Sequence, residues 1–447
     1  MKTGDQVVQE LPWRWHTQGT IFLIGGLGFM FDAWDVALNG YLIPLVGAEW
    51  GLSTAERGWV GTANLIGMAV GAFAWGGVAD IIGRKKAFSL TLLMFSLFTV
   101  AGALSPDYLT FCVFRFLAGI GLGGCIPVDY ALVGEFTPAR VRGRVLTALD
   151  VFWPIGATLC GLVSTLLLPW QNWRLLLLVM VLPALLVFWV RRSVPESPIY
   201  LVRRGRDAEA REVIDALVAR TGATPEPWTL PEHRDASPLS LTAVAAQLRA
   251  LWAHGARLTS ATWAVFLAVF VLYYGALTWL PSILREQGYG DYAAFMVTTL
   301  MTAVGIVGVL VSAWLVEAVG RKWVIGVSAP LAALALVLFA FHLEMPASAY
   351  VWIGAYGLVI QVTIPALYAY VSEVYPTHLR ASGFGWASTV SRIGAGLVPV
   401  LFGSVLWPWL GLTMTFFVVG VAVGLAVLWL AVAAPETRAR ELDRIDR

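Results

Sequence analysis

Charged residues are scarce in this chain. Asp, Glu, Lys and Arg make up only 13% of its 447 residues, whereas 58% are hydrophobic. So few charges cannot cover the surface of an ordinary soluble protein of this length, and the composition excludes that class. The net charge of +2 gives no sign of a nucleic-acid partner, and none is expected. We therefore expect a membrane protein that has the lipid bilayer as its surroundings.

Cysteine and histidine are also rare, and their positions exclude two kinds of site. The three cysteines, Cys112, Cys125 and Cys160, all fall in apolar stretches. Thiols placed in this way behave as small hydrophobic side chains, so neither a disulfide framework nor a metal cluster is expected. The five histidines lie in loops or near helix ends, which leaves no histidine to relay protons at membrane depth. We expect no metal and no cofactor.

Long apolar stretches are what the chain has in abundance. A helix needs about 20 apolar residues to cross a hydrocarbon core about 30 Å thick. Twelve such stretches occur, at 17–46, 58–79, 87–105, 108–134, 145–168, 173–190, 259–284, 293–316, 323–343, 347–372, 382–406 and 409–433. The sequence therefore predicts an all-α membrane protein with twelve transmembrane helices.

The distribution of Lys and Arg predicts the orientation of these helices. If both termini are cytoplasmic, 25 of the 30 basic residues fall on that side, Arg57, Arg174 and Arg285 fall on the other, and Arg115 and Arg392 lie within helices. An excess of this kind is typical of cytoplasmic loops. We expect a monomer that is integral to the plasma (inner) membrane, with both termini in the cytoplasm.

The chain contains an internal repeat. The segment "IPVDYALVGEFTP" at 126–138 matches "IPALYAYVSEVYP" at 364–376 in seven of thirteen positions. Two halves of six helices each, related by a pseudo-twofold axis along the membrane normal, are therefore predicted, with a cleft between them. The predicted domains are an N-terminal bundle at 1–192, a cytoplasmic linker with amphipathic helices at 193–257, and a C-terminal bundle at 258–447. In the linker, Ala208, Val213 and Leu217 are expected to form the apolar face of one helix.

Two carboxylates stand at the centre of the first apolar stretch. Asp32 and Asp35 are three residues apart, a spacing that places them on one helical face together with Asn39. A charge at the bilayer centre costs about 2.5–3.5 kcal/mol, so ionisable residues there are by default functional. Since two neighbouring carboxylates in a partly dry cleft do not both ionise cheaply, at least one is expected to carry a proton. Which one does so is open, and so is the alternative of a static ion pair that only fixes helix packing.

A second charged group lies in the eleventh stretch. Arg392 cannot lose its charge and can hold a carboxylate through two parallel hydrogen bonds, which suits an organic anion. Alternatively, Arg392 pairs with Asp150 or with a backbone carbonyl for structure. Aromatic residues around the cleft favour a flat substrate. Together with Arg392, the residues predicted to bind it are Asn39, Tyr130, Asp150, Trp153, Tyr273, Tyr274, Gln361 and Tyr368.

Several motifs resemble those of a known family. "GGVADIIGRKK" at 76–86 and "RFLAGIGLGG" at 115–124 resemble signatures of the major facilitator superfamily, and the resemblance extends over all twelve helices. "MFDAWDV" at 30–36, "YYGALTWLPSIL" at 273–284 and "SRIG" at 391–394 look like the metabolite-proton symporter branch, which includes bacterial niacin transporters, and "SRIG" also resembles organic-anion transporters. Sugar porters are less similar, because the amides of their seventh helix are missing here.

The resemblance implies two further roles. It places Arg115 beside the acid of the first helix, as part of the proton-coupling group. It also implies a set of gating charges that locks the outward-open state, formed by Asp80, Arg84, Glu135, Arg142, Glu317, Arg321, Glu373 and Arg380.

We therefore expect a secondary active transporter and not an enzyme. The expected activity is proton-coupled symport of a small organic anion, an aromatic or heteroaromatic monocarboxylate of the niacin kind, by rocker-switch alternating access. Its partners would be this substrate and protons, with the proton gradient as the source of energy. The alternatives are a proton-coupled exporter of drug-like organic ions, a hexose transporter like the sugar porters, and a sensor that binds without turnover.

Overall fold

The computed structural model describes residues 2–225, 227–229, 241–376 and 379–437 and is almost entirely helical. The helices of the first part of the chain are α1 Gly4–Glu10, α2 Thr20–Glu49, α3 Thr54–Ile82, α4 Arg84–Gly102, α5 Tyr108–Phe136, α6 Ala139–Leu149, α7 Phe152–Leu167, α8 Trp173–Leu178, α9 Leu182–Ser193, α10 Pro198–Arg203 and α11 Asp207–Thr221. Those of the second part are α12 Leu241–Glu286, α13 Asp291–Ala318, α14 Arg321–Phe341, α15 Pro346–Val374, α16 Arg380–Leu401 and α17 Trp407–Ala433.

Short elements complete the chain. The 3₁₀ turns are Leu168–Trp170 and Val179–Val181, and the π-helical turns are Trp15–Gly19 and Phe402–Leu406. Two parallel strands of two residues each, β1 Lys2–Thr3 and β2 Trp228–Thr229, attach the N-terminal segment to the linker.

The predicted fold class is confirmed. Eleven continuous helical stretches of the described residues are long and apolar enough to cross a membrane. The last one, Ser382–Ala433, contains two spans, because its helix is interrupted at Gly411, where φ is 72°. Glycine adopts this left-handed conformation without strain. The sequence predicts that the eleventh and twelfth spans are separated at 407–408. These two residues are instead helical, because Pro408 lies in the first turn of α17, where no backbone N–H is needed. The fold is a twelve-helix bundle.

The fifth span is interrupted at the depth of a predicted site residue. The apolar stretch at 145–168 predicts one helix, but α6 ends at Leu149 and α7 begins at Phe152. Pro154 lacks the N–H that would bond to the carbonyl of Asp150, and the N–H of Trp153 donates to that carbonyl instead, at 3.3 Å. Irregular backbone within a membrane is tolerated where it lines a cavity. Asp150 therefore lies in the irregular backbone between α6 and α7.

The two six-helix halves meet along three pairs of helices, namely α2 with α12, α3 with α16, and α7 with α13. We call the end of the bundle that carries α10 and α11 the linker face, and the opposite end, with the loops at 50–53 and 287–290, the far face. At the far face Arg57 pairs with Glu286 across the halves, at 3.1 Å. The hydroxyl of Thr62 also accepts a hydrogen bond from the N–H of Val400, at 3.1 Å.

A glycine allows these halves to approach closely. A Cβ atom at Gly58 would lie 2.6 Å from the carbonyl oxygen of Pro399 and 2.7 Å from Cα of Val400. At the linker face, by contrast, a cavity of about 590 Å³ opens beside α1, α5 and α10. The halves are therefore in contact at the far face.

The linker helix α11 has an apolar face that agrees in part with the predicted one. Leu217 is buried and Val213 is partly buried, as predicted, whereas Ala208 is exposed, and Ala210, Ile214 and Val218 are also buried. The face includes these further residues because α11 packs on α10 and α1. At its start, Arg206 donates two hydrogen bonds to Glu209, at 2.7 and 2.5 Å, which lower the pKa of Glu209. The amphipathic pattern of the linker also predicts a second helix, at 239–252. Residues 239–240 of it lie outside the described residues, and α12 begins at Leu241.

Candidate functional site

Arg115 and Asp35 form an ion pair inside the first half. Nη2 of Arg115 on α5 lies 2.6 Å from Oδ1 of Asp35 on α2, and neither side chain is exposed. The same nitrogen donates to Oδ1 of Asn39 at 2.8 Å, while Nη1 donates to the hydroxyl of Thr99 at 3.3 Å. Removing two charges from water is costly, so a buried pair persists only when further hydrogen bonds support it. Here both terminal nitrogens of the Arg115 guanidinium donate such hydrogen bonds.

Two residues that the sequence did not single out complete this network. The hydroxyl of Thr99 donates to Oδ2 of Asp35 at 2.5 Å. Asn64 accepts a hydrogen bond from Asn39 at 2.9 Å and donates to the backbone carbonyl of Arg115 at 3.2 Å. Uncharged polar residues are common in membrane helices and carry little signal of their own. Their role is visible only in the packing of α2, α3, α4 and α5.

Asp32 lies on the same helix but outside this network. It is fully buried, and neither of its carboxylate oxygens has a hydrogen-bond partner among the described residues. Arg392 and Asp35 are close enough to act electrostatically on it. Asp129 on α5 is equally buried, also lacks hydrogen-bond partners in the described chain, and interacts electrostatically with Asp32. The two acids of the first span therefore have different surroundings.

A cavity of about 380 Å³, counting the part open to solvent, lies between the halves. It is lined by Phe29, Asp150, Trp153, Phe270, Tyr273, Tyr274, Gln361, Ile364, Pro365 and Tyr368. Six of these are predicted substrate-binding residues. The walls are mostly aromatic and come from both halves.

Tyr273 is the polar centre of this cavity. Its hydroxyl accepts a hydrogen bond from Nε1 of Trp153 at 2.8 Å and another from Nε2 of Gln361 at 3.2 Å. A hydroxyl offers two acceptor sites and one donor. Because both acceptor sites are used, the hydroxyl hydrogen of Tyr273 remains for an acceptor in the cavity.

Arg392 on α16 lies beside the cavity. Nε donates to the hydroxyl of Ser388 at 3.2 Å, whereas Nη1 has no hydrogen-bond partner among the described residues. The side chain is 9% exposed and acts electrostatically on Tyr274 and Tyr368, two of the lining residues. Asp150, the alternative partner considered from the sequence, accepts a hydrogen bond from the hydroxyl of Tyr130 instead.

Three predicted substrate-binding residues, Arg392, Asn39 and Tyr130, are not among those that line this cavity. Asn39 accepts a hydrogen bond from Arg115, and Tyr130 forms part of the wall of the cavity at the linker face. Conversely, Phe29 and Phe270 line the cavity and were not predicted. The sequence did contain a helical spacing that relates them to predicted residues. Phe29 lies three positions before Asp32 and Phe270 three positions before Tyr273, in each case on the same helical face.

The gating charges lie at the linker face. Arg84 pairs with Glu135 at 3.2 Å in the first half. In the second half, Arg321 pairs with Glu317 at 2.8 Å and with Glu373 at 3.0 Å. These pairs follow the internal repeat. Their action as a lock stays a prediction.

The other members of the gating set differ in their surroundings. Arg142 donates to the backbone carbonyl of Thr137 at 3.1 Å. Arg380 begins α16, and the side chain of Asp80, on α3, lies outside what the structure describes. Two acids that were not predicted cap helices here, since Glu196 accepts from the N–H of Lys85 and Glu436 from that of Arg321, each at 3.1 Å.

Comparisons with known proteins fit this architecture. The chain is 34% identical over 435 residues to the "Niacin transporter NiaP" of Acinetobacter baylyi, with 95% of this chain and 96% of the relative covered. It is 33% identical over 439 residues to the "Putative niacin/nicotinamide transporter NiaP" of Bacillus subtilis, covering 96% and 98%. A "Gallate transporter" of Pseudomonas putida is 32% identical over 419 residues, with 92% and 91% covered.

Solved structures and a family model give the same result for the fold. The xylose transporter XylE from E. coli, in a partially occluded inward open conformation, aligns with a TM-score of 0.76 at 19% identity, covering 95% of this chain and 99% of that one. At this identity the likeness concerns the fold alone. The model of the Major Facilitator Superfamily matches residues 25–399 and 292–446. The chain therefore belongs to the major facilitator superfamily of membrane transporters.

Proposed function

We propose that this protein imports a small aromatic or heteroaromatic monocarboxylate of the niacin kind together with protons. The observation that carries the proposal is the cavity between the halves, which has aromatic walls and Arg392 beside it. The names of the relatives, which concern niacin and gallate, support an aromatic acid as substrate. Import, as opposed to export, is part of the proposal and rests on the analogy with metabolite-proton symporters alone.

The groups of the cavity suit the parts of such a substrate. A flat ring packs between Trp153 and the aromatic side chains of the second half, where edge and face contacts favour aromatic pairs. Arg392 binds the carboxylate, because its Nη1 has no hydrogen-bond partner among the described residues. The hydroxyl hydrogen of Tyr273 supplies a further donor to the substrate.

Proton coupling follows from the position of Asp32 near Arg392. A guanidinium close to a carboxylate favours its ionised form. When a substrate carboxylate binds Arg392, this attraction is neutralised and a buried, unpartnered Asp32 takes up a proton. When the substrate leaves, Asp32 gives the proton up again. In this way substrate and proton are bound together and released together.

Alternating access would proceed by a rocker-switch movement of the two halves. If both termini are cytoplasmic in the inner membrane, as the basic residues predict, the linker face is the cytoplasmic face. The contacts at the far face then close the outer entrance. The gating charges at the linker face would close the inner entrance in the opposite state, and no cofactor takes part.

Uptake of radiolabelled nicotinate by proteoliposomes tests this function. An imposed proton gradient, acidic outside, should drive accumulation above equilibrium, and collapsing the gradient with a protonophore should abolish it. Xylose in the same vesicles is the control substrate for a sugar-porter activity. Accumulation of nicotinate that is independent of the proton gradient would contradict coupling.

An organic-ion exporter is the second candidate, and Asp150 favours it. This acid lines the cavity, where it would attract a cation. The same vesicles decide between the two candidates when they are loaded with nicotinate or with a quaternary ammonium dye. Efflux of the dye against its gradient, coupled to proton entry, would support export, and nicotinate would then be neither bound nor accumulated.

A further inference from the structure

The mechanism above leaves one buried acid without a role. Asp129 on α5 has no exposed surface, and both its carboxylate oxygens lack hydrogen-bond partners among the described residues. A buried carboxylate of this kind is unfavourable when ionised, because no donor replaces the water it has lost. Its surroundings therefore require that it hold a proton in the state seen here.

The position of Asp129 relates it to the proposed proton carrier. A Cβ atom at Gly28 of α2 would lie 3.2 Å from Oδ2 of Asp129, so this carboxyl group packs directly on that turn of α2. Gly28 precedes Asp32 by four residues, which places Asp129 about 6 Å, or one helical turn, closer to the linker face. The titratable groups that interact with it are Asp32, Cys125 on its own helix, and Tyr130.

The cavity at the linker face reaches α5 directly beside Asp129 in the chain. The next two residues of α5, Tyr130 and Ala131, line the cavity of about 590 Å³ that opens there. Asp32 is a turn further away from that face. A proton that leaves Asp32 for the linker face thus meets Asp129 before it meets the cavity.

We propose that Asp129 is a proton-transfer residue, which receives the proton of Asp32 on its way to the linker face. This role rests on the proposed function. In the transfer, Asp129 releases its proton to water in the linker-face cavity and accepts the proton of Asp32, so that Asp32 becomes a carboxylate and Asp129 a carboxyl group again. One proton passes from the centre of the membrane to the cavity, with no change in electron count.

Infrared spectroscopy of the purified protein tests whether Asp129 holds a proton. The spectrum should contain the carbonyl band of a protonated, buried carboxyl group, and Asp129→Asn should remove it. Cys125→Ala is the matched control, since it changes an equally buried residue one turn away on α5 and should leave the band intact. A band unchanged in Asp129→Asn would overturn the proposal.

Transport measurements test the transfer itself with radiolabelled nicotinate. Asp129→Asn should keep nicotinate binding and exchange, but its uptake under a proton gradient should stop at equilibrium, and Asp129→Glu should restore part of the accumulation. Undiminished accumulation by Asp129→Asn, or a joint loss of binding, exchange and accumulation, would overturn the proposal. If the parent protein itself shows no gradient-driven uptake, the proposed function and the transfer both fail, while the infrared band still decides whether Asp129 holds a proton.

Discussion

Arg115 in the first half and Arg392 in the second are the arginines that the sequence places deep in apolar stretches, and their surroundings differ. Arg115 is fully buried and bonded to Asp35, Asn39 and Thr99. Arg392 has one hydrogen bond from Nε to Ser388, and its Nη1 has no hydrogen-bond partner among the described residues. Arg115 is thus held in a hydrogen-bonded ion pair within the protein, whereas Arg392 interacts only electrostatically with the nearby acid Asp32.

This difference distinguishes a structural arginine from one that can bind a substrate. A buried ion pair stabilises the arrangement of α2 and α5 only as long as both partners are present. An arginine that is not held in such a hydrogen-bonded ion pair can bind a substrate carboxylate through two parallel hydrogen bonds. We therefore propose that the same residue type has a structural role in one half and a binding role in the other.

Replacing each arginine by methionine should give the largest difference between the two sites, and this difference is in protein stability. Arg115→Met leaves Asp35 buried without its cation and should destabilise the protein by about 3–5 kcal/mol. Arg392→Met should change the unfolding midpoint in detergent far less. The double variant Arg115→Met and Asp35→Leu removes both charges and should recover most of the loss. Equal destabilisation by Arg115→Met and Arg392→Met would show that the two sites do not differ.

Nicotinate binding, in contrast to stability, should depend on Arg392. Arg392→Ala should cost about 2–5 kcal/mol of binding free energy for nicotinate, because the substrate carboxylate would be desolvated without a partner. Arg392→Lys keeps the charge but loses the planar fork, so it should bind nicotinate more weakly than the parent and more tightly than Arg392→Ala. The measurement is equilibrium binding of labelled nicotinate.

Nicotinamide is the control ligand for this series. It has nearly the same shape but no charge, so it should bind the parent weakly and respond little to Arg392→Ala. If acid and amide lost equal affinity, Arg392 would act through helix packing and not through its charge.

The smallest effect is expected at the far face. Arg57 and Glu286 join the halves, but their side chains are 25% and 41% exposed, and such pairs contribute about 0.2–1 kcal/mol. Arg57→Gln should therefore raise the population open at the far face by no more than about fivefold. Distances between spin labels on the loops at 50–53 and 287–290 would report this shift. Arg174→Gln is the control, because Arg174 pairs with Glu49 inside the first half.

The sequence predicted the spans well, because each requires a long apolar stretch, and it placed six of the ten cavity residues. It could not separate Asp32 from Asp35. Residues three apart on a helix differ by about 60° in direction, and only the neighbouring helices decide that Asp35 pairs with Arg115 while Asp32 interacts electrostatically with Arg392. The helical spacing that relates Phe29 and Phe270 to predicted residues was not enough to select them, since aromatic residues make up 13% of the chain and most of them only pack.

The central claim is that substrate at Arg392 and a proton on Asp32 are bound together. Proton uptake on addition of nicotinate to purified protein, in weakly buffered detergent solution, tests it most directly. The parent protein should take up protons as nicotinate binds, whereas Asp32→Asn, whose folding should be unaffected because Asp32 has no hydrogen-bond partner in the described chain, should bind nicotinate without proton uptake. Binding by the parent without proton uptake, or equal uptake by Asp32→Asn, would contradict the claim.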